Sequence, residues 1–285
     1  MPTDLVIIPC FERPEFTWLC LENLYENVRG TMTDKEIWIC EDIHADKPKG
    51  FTIEMEMLAV MREWERKMHL FYYATAPHTT YGNSYNVLRA LTRAASMGGY
   101  RYVYLLEDDV LVTPDFFEWN EAAQQKFNPW ATCAGRLNRS LNFQMNGREA
   151  INEGIRDENA CHKSVTAYMS WATCFSAKAL QDVRAFNAIY DGFEKRFEQD
   201  VMIQRKIRAA KLETVWPYIP RAFHLGWYSY HRDGGMKVYG TLEEKVKALR
   251  AAVKDPAKLQ ALKGPQEMQA YPRVLHKPAT ELYLR

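Results

Sequence analysis

The sequence lacks any long apolar run: none of its 285 residues lies in a stretch approaching the roughly 18 that would span a bilayer. Neither sign of charge is in excess, since 37 Lys+Arg against 36 Asp+Glu leave a net +1, so no overall basic field advertises a polyanionic partner. The cysteines Cys10, Cys20, Cys40, Cys133, Cys161 and Cys174 form no C-x-x-C pair, and their apolar or strand-like contexts favour reduced, buried thiols in a cytosol. There is no Walker A motif, no G-x-G-x-x-G and no G-x-S-x-G, so the usual phosphate-loop, dinucleotide and nucleophile-elbow fingerprints are missing. The start of the chain has neither a basic region nor a small-residue cleavage site, and reads as a buried strand instead of a signal peptide. Internal repeats and low-complexity tracts are absent. With 47% hydrophobic and 26% charged residues, disorder and fibrous repeats are excluded. The expectation is a soluble, cytoplasmic protein with no membrane span.

What is there is an alternation of short apolar strands and amphipathic helices. Leu5–Pro9, Glu36–Cys40, Leu70–Ala74 and Tyr100–Leu106 read as strands. Between them, helical spacing starts at Pro14, near Ile53 and at Asn83. This β-α-β-α-β-α-β order predicts an α/β fold with a mostly parallel central sheet. Ligands of such sheets bind beyond the carboxyl ends of the strands, where two acidic tips, Glu41-Asp42 and Glu107-Asp108-Asp109, would converge. Residues 131–170 read as long loops over a cleft. Helix returns at Ala177–Ile189 and Glu198–Ala210, and Pro217 and Pro220 predict that Thr214–Pro220 is an edge strand or irregular. Thr241 and Glu244 form a capping box for a further helix, and Asp255-Pro256 opens another. Two parts are expected: a main domain over 1–235 and a basic helical extension over 236–285, whose 10 Lys+Arg and 5 Asp+Glu give a local +5.

The acidic triplet is the strongest chemical feature. Three consecutive carboxylates at the end of a buried strand repel one another and resist desolvation. A hard divalent cation, Mn²⁺ or Mg²⁺, would supply the missing charge and keep positions open for substrate phosphates. A solvated turn with nothing bound is the plain alternative. Asp200, early in its helix, is either a base or an acid complementing the helix dipole. His224-Leu225-Gly226-Trp227-Tyr228-Ser229-Tyr230-His231-Arg232 packs two histidines, three aromatics and an arginine together. Its His224 is an acceptable Mn²⁺ ligand, and Arg232 suits a diphosphate. Tyr81-Gly82-Asn83-Ser84-Tyr85-Asn86 opens a helix whose first amides favour anions, with Ser84 as its cap.

Glu107-Asp108-Asp109 with the following Pro114-Asp115-Phe116-Phe117 resembles the metal motif of inverting GT-A-fold glycosyltransferases of the N-acetylglucosaminyltransferase I type. Cys10-Phe11-Glu12-Arg13, Glu41-Asp42, Phe197-Glu198-Gln199-Asp200 and Pro217-x-Ile219-x-Arg221-x-x-x-x-Gly226 are similar to other stretches of that family, in order, over residues 4–227. The resemblance implies Asp109 as metal ligand, Asp108 at the donor ribose and Glu107 orienting the sugar. It further implies Arg13 near the donor diphosphate, Asp42 at a uracil-ribose, Asn86 in the donor-side helix and Asp200 as catalytic base. The expected activity is inverting transfer from a nucleotide-sugar donor, a UDP-sugar by the Asp42 correspondence, to a hydroxyl acceptor. The basic segment reads by default as a solvated helical surface; a modified nucleic-acid base as acceptor would also suit it, in a bacterial cell or virus-infected cytoplasm. The competing classes are a sugar-1-phosphate nucleotidyltransferase, disfavoured by Cys-Phe-Glu-Arg-Pro where a Gly-rich loop would stand, and a catalytically inactive sugar- or nucleic-acid-binding module.

Overall fold

The computed structural model of the chain describes residues 4–43, 45, 50–77, 84–135, 159–190, 199–225, 240–254 and 282–284. Strand β1 (Asp4–Cys10) is buried along its whole length, as its unbroken apolar run requires of a central strand. Pro14, whose fixed φ suits a first helical turn, opens α1 (Pro14–Val28), which buries Phe16, Leu19, Cys20 and Leu24. There follow β2 (Lys35–Glu41), α2 (Phe51–Trp64), β3 (Leu70–Ala74), α3 (Ser84–Met97) and β4 (Tyr102–Leu106). Strand β1 pairs in parallel with both β2 and β4, and β2 pairs in parallel with β3. The register sets Ile7 beside Trp38 on one side and Leu105 on the other, all three fully buried. Each such apolar side chain contributes roughly 1.5–3 kcal/mol by its removal from water.

The second half of the chain adds β5 (Val110–Val112), α4 (Phe116–Phe127), β6 (Ala131–Cys133), β7 (Ala160–Ser164), β8 (Ala172–Ser176), α5 (Ala177–Tyr190) and α6 (Gln199–Ala210). Then come β9 (Thr214–Pro217), β10 (Ala222–His224), α7 (Leu242–Lys254) and β11 (Tyr283–Leu284). The result is a nine-stranded, mostly parallel sheet in the order β11-β7-β9-β6-β8-β4-β1-β2-β3, with β8 antiparallel to both β4 and β6 and β7 antiparallel to β9. Strands β5 and β10 form a separate antiparallel ribbon.

Two sequence expectations are corrected here. Residues 131–170 are not simply loops: β6 and β7 lie in that stretch, and Ala131-Thr132-Cys133 is so short and so completely buried that it shows no alternation to read. Strand β9 does not lie at an edge but between β7 and β6. Its prolines do not interfere, because Pro217 is the last strand residue and Pro220 lies beyond it. The capping box is present as expected. Thr241 Oγ1 accepts the Glu244 amide at 3.3 Å, and Glu244 Oε2 accepts the Thr241 amide at 2.8 Å. The proposed Asp255-Pro256 helix lies outside the described residues.

Helix α7 packs on α1 through Leu249 and Ala252, in one apolar cluster with Phe16, Leu19, Leu111 and Leu225. Lys245 reaches Glu56 at 2.8 Å and Arg250 Nε reaches Glu22 at 2.7 Å. Two cations of the basic segment are therefore engaged by the body of the protein itself.

Two of the stretches singled out in the sequence meet in a buried ion pair. Arg221 Nε donates to Asp115 Oδ2 at 2.9 Å, Thr113 Oγ1 donates to Asp115 Oδ1 at 2.7 Å, and Arg221 is wholly buried. This pair ties the start of α4 to the segment between β9 and β10, and so fixes the ribbon that carries His224. Breaking it by Arg221→Ala strands a buried carboxylate and is expected to cost about 3–5 kcal/mol. A urea titration reads the effect, and a loss under about 1 kcal/mol would show that Asp115 finds solvent or another cation.

Candidate active site

The acidic triplet is the turn between β4 and β5. Its backbone is held on both sides: the Glu107 amide donates to the Trp171 carbonyl at 3.2 Å, and the Leu225 amide donates to the Asp109 carbonyl at 2.8 Å. The β5–β10 ribbon places His224 opposite Val110, which brings an imidazole distant in sequence to the last acid of the triplet. His224 Nε2 lies 3.1 Å from Asp109 Oδ1 and 3.6 Å from Glu107 Oε2. One ligand atom from each of Glu107, Asp109 and His224 can thus be chosen so that all lie within 4.8 Å of one another. On the other side, Arg13 Nη1 donates to Asp109 Oδ2 at 2.9 Å while Nη2 pairs with Asp108 Oδ1.

Burial and the neighbouring charges oppose each other in this cluster. Burial opposes the charge of His224, but Asp109 and Glu107 outweigh it and push the imidazole up to about 10. It also opposes the charge of Asp109, yet His224 and Arg13 hold that carboxyl well below the usual range. At Asp108 burial prevails. Arg13 offsets it in part, Asp109 and Glu107 add to it, and the carboxyl is pushed up to about 7.

The cluster fits a divalent cation. Two carboxylates and an imidazole suit Mn²⁺, and Mg²⁺ would take the oxygens. Asp109 Oδ1 is buried, with His224 Nε2 3.1 Å away as its close cationic neighbour. Asp108 Oδ2 is also buried and, among the described residues, accepts no hydrogen bond. An orphaned carboxylate oxygen is costly unless a cation or donor comes to it.

The other expected residues are distributed around this centre. Asp42 is buried just past β2, its amide bonded to the Cys10 carbonyl at 2.9 Å. Strand β2 is separated from β4 by β1, so the two acidic tips stand two strand spacings apart, roughly 10 Å. Asn86 is buried, and its Nδ2 donates to the Cys40 carbonyl at 2.6 Å, so this amide group ties α3 to the end of β2. Ser84 Oγ accepts the Gln199 amide at 2.8 Å. The hydroxyl expected to cap α3 therefore caps the neighbouring helix α6, where an orphan amide meets it. Asp200 is the second residue of α6, half-buried, with Oδ1 accepting the Val201 amide at 2.7 Å. Its charge and that of Glu107 both reach the buried Tyr168, whose phenol is pushed well above its ordinary value by burial first, then Cys133, Asp200 and Glu107. Arg232, His231, Gly226 and Tyr81–Asn83 lie outside the described residues.

No protein-family profile and no curated protein sequence matches the chain. Solved structures do. S. aureus TarS 1–349 aligns with a TM-score of 0.52 at 12% identity, over 76% of this chain and 58% of that one. The same fragment in complex with UDP gives 0.50 at 13% identity, over 76% and 57%. A mannosyltransferase from Pyrobaculum calidifontis, in complex with GDP-Man and Mn²⁺, gives 0.49 at 14% identity, over 75% and 54%. The fold is GT-A. The chain spans less than two thirds of the length of these structures. Among the described residues, no helix is long and apolar enough to cross a membrane.

Within this GT-A sheet, two neighbours of the cluster escaped the sequence reading, both just before β8. Ser170 Oγ donates to Glu107 Oε1 at 3.2 Å, and the Trp171 ring packs against His224 at 5.4 Å between centroids. Their one sequence signal is the stretch Tyr168-Met169-Ser170-Trp171, which lies in the span expected to be loop.

Proposed function

We propose that the protein is a metal-dependent inverting glycosyltransferase that moves a sugar from a nucleoside-diphosphate donor to a hydroxyl acceptor. The observation that carries this reading is the meeting of Glu107, Asp109 and His224 beyond the carboxyl end of β4 in a GT-A sheet. That TarS, similar in fold, is seen in complex with UDP supports a UDP-sugar as the donor. Glu107, Asp109 and His224 would hold the divalent ion, Mn²⁺ before Mg²⁺ because of the imidazole. The ion supplies neutralisation of the negative charge that gathers on a departing diphosphate.

The remaining roles fall to the chain's own groups. Ser170 and Trp171 fix Glu107 and His224, so Glu107 serves the ion and not only the sugar. Asp108 and Asp42 mark the nucleoside side, with Asp42 at the base and ribose, as the N-acetylglucosaminyltransferase I resemblance implies. Asp200 takes the acceptor's proton on the far face of the sugar, and in-line attack with one base gives inversion. The acceptor is any hydroxyl presented there. A nucleic acid would have to be held by parts of the basic segment other than Lys245 and Arg250. Of the segment 236–285, taken as an appendage to the main domain, helix α7 is the part that buttresses α1.

Thermal-shift titration tests the reading. UDP-sugars with Mn²⁺ should raise the melting temperature, a ligand at a hundred times its Kd stabilising the fold by about 2.7 kcal/mol. The absence of any shift for every nucleotide sugar, with or without metal, would refute a donor site. The protonation of His224 gives a second test. At pH 7.5 an imidazole raised to about 10 carries its proton, and a ligating imidazole cannot. Mn²⁺ uptake should therefore release about one proton, and Mn²⁺ should bind more tightly as pH rises, by as much as about tenfold per unit below that value. Calorimetry in buffers of different ionisation enthalpy reads the proton directly. Buffer-independent heats would remove His224 from the ligand set.

A further inference from the structure

We infer that Arg13 is a positioning residue for the metal centre, acting through Asp109, and not primarily a ligand of the donor's diphosphate. The inference rests on the metal-dependent reading above, but concerns a residue that reading leaves without a role. Three observations carry it.

The first is the fork. Nη1 meets Asp109 Oδ2 at 2.9 Å and Nη2 meets Asp108 Oδ1, so one planar guanidinium grips one oxygen of each of two adjacent carboxylates. That grip fixes the rotation of the Asp109 carboxylate and leaves its second oxygen, Oδ1, turned to His224 at 3.1 Å. Arg13 and the proposed ion would thus occupy opposite oxygens of one carboxylate and need not compete.

The second is that the arginine is anchored. Its carbonyl accepts the amides of Phe16 and Thr17, both at 3.1 Å, and the Thr17 hydroxyl at 3.3 Å, which makes it the first fixed point of α1. The preceding Glu12 holds a left-handed φ of 50°, uncommon outside glycine. The Phe16 ring lies 5.3 Å from the guanidinium carbon, and Phe16 is itself wholly buried beneath α7 in the cluster with Leu249.

The third is exposure: the Arg13 side chain is 17% accessible and its two acid partners 1% and 3%. The paired oxygens are out of water, where a bidentate grip is strong and its loss leaves buried charge unpaired.

The two roles predict opposite signs. Removing a positive charge beside a cation site would, by Coulomb's law alone, tighten cation binding or leave it unchanged. Removing the group that orients a ligand weakens it, by about 10–100-fold for outer partners of metal ligands. The experiment is Mn²⁺ titration of the full-length, donor-free protein, followed by the loss of the free-ion paramagnetic resonance signal. Arg13→Ala should bind Mn²⁺ about 10–100-fold more weakly than the wild type. Arg13→Lys keeps the charge but not the fork and should fall between them; it decides the matter if the alanine variant does not fold. In the same variants, UDP should stabilise the protein at saturating Mn²⁺ nearly as it does the wild type. Unchanged or tighter Mn²⁺ binding in either variant would overturn the inference while leaving the metal centre intact, as would a loss of UDP stabilisation that excess Mn²⁺ does not restore. A wild-type protein that binds no Mn²⁺ would instead take down the metal reading, and this inference with it.

Discussion

Asp109→Ala is expected to abolish transfer, lowering turnover by on the order of a thousandfold or more, because several kcal/mol of charge stabilisation depend on this one carboxylate. Asp109 is where the two halves of the site meet: Oδ2 is held by Arg13 and Oδ1 faces His224 and the proposed ion. The variant should still fold. Asp108 continues to compensate Arg13, and Glu107 lies 3.6 Å from His224, so neither cation is left alone. His224, which Asp109 does most to hold protonated, should fall back from about 10 towards its ordinary value. The measurement is turnover alongside Mn²⁺ and UDP affinity, both of which should weaken together. Asp109→Asn keeps the shape and removes the charge, and should lose nearly as much. Turnover that survives either change, or that survives a chelator in the wild type, would end the metal-dependent reading.

Much of this site was legible in the sequence because local chemistry announces it. An apolar strand ending in Glu107-Asp108-Asp109 cannot bury three like charges cheaply, and the β-α alternation before it fixes where strand ends must point. The parallel strands β1 to β4 and their helices follow directly from period and length. What the sequence conceals is everything that depends on antiparallel return. Strand β8 enters the sheet beside β4, and Glu107 takes its side-chain partner Ser170 from the segment leading into it. The β5–β10 ribbon, each strand three residues long, delivers His224 to Asp109. Such short, wholly or partly buried strands carry no alternation, and their pairing is a tertiary event. Helix α4 was missed for a related reason: its opening Phe116-Phe117 belongs to a motif read for chemistry, and its apolar face is broken by buried Asn120 and Gln124. Asn120 Nδ2 bonds the Phe116 carbonyl at 2.8 Å and Gln124 Nε2 the Cys174 carbonyl at 3.0 Å, so polar residues stand in the core without being functional.

The same distinction separates residues that resemble a site from residues that form one. Arg221 and Asp115 come from two of the family-like stretches, yet they neutralise each other behind the site. Asn86 is similarly engaged by a backbone carbonyl. A side chain whose donor is already engaged inside the protein is structural until a ligand offers more. By that criterion Asp108 and Asp109 stand out: their side-chain oxygens face cations or, like Asp108 Oδ2, accept no hydrogen bond among the described residues.

Asp200→Asn should reduce turnover by about 10²–10⁴-fold with donor binding unchanged, the range expected when a general base is removed. Its position explains why substitution is tolerable for the fold. As the second residue of α6 it complements the helix dipole, an interaction worth about 0.3–1 kcal/mol, and the amide oxygen of asparagine can still accept from Val201. The helix start is independently secured by Ser84 capping Gln199, so the site's geometry should survive the change. A purely structural Asp200 would show the reverse pattern, a small loss of stability and normal turnover. Thermal shifts with a UDP-sugar and Mn²⁺ establish that the variant still loads its donor, and the anomeric configuration of the wild-type product, read by proton resonance, establishes whether one base acting in line is the right chemistry. Product with retained configuration would exclude a single-displacement role for Asp200 even if its replacement proved inactive, since retention requires a second displacement or a reaction on the same face of the sugar.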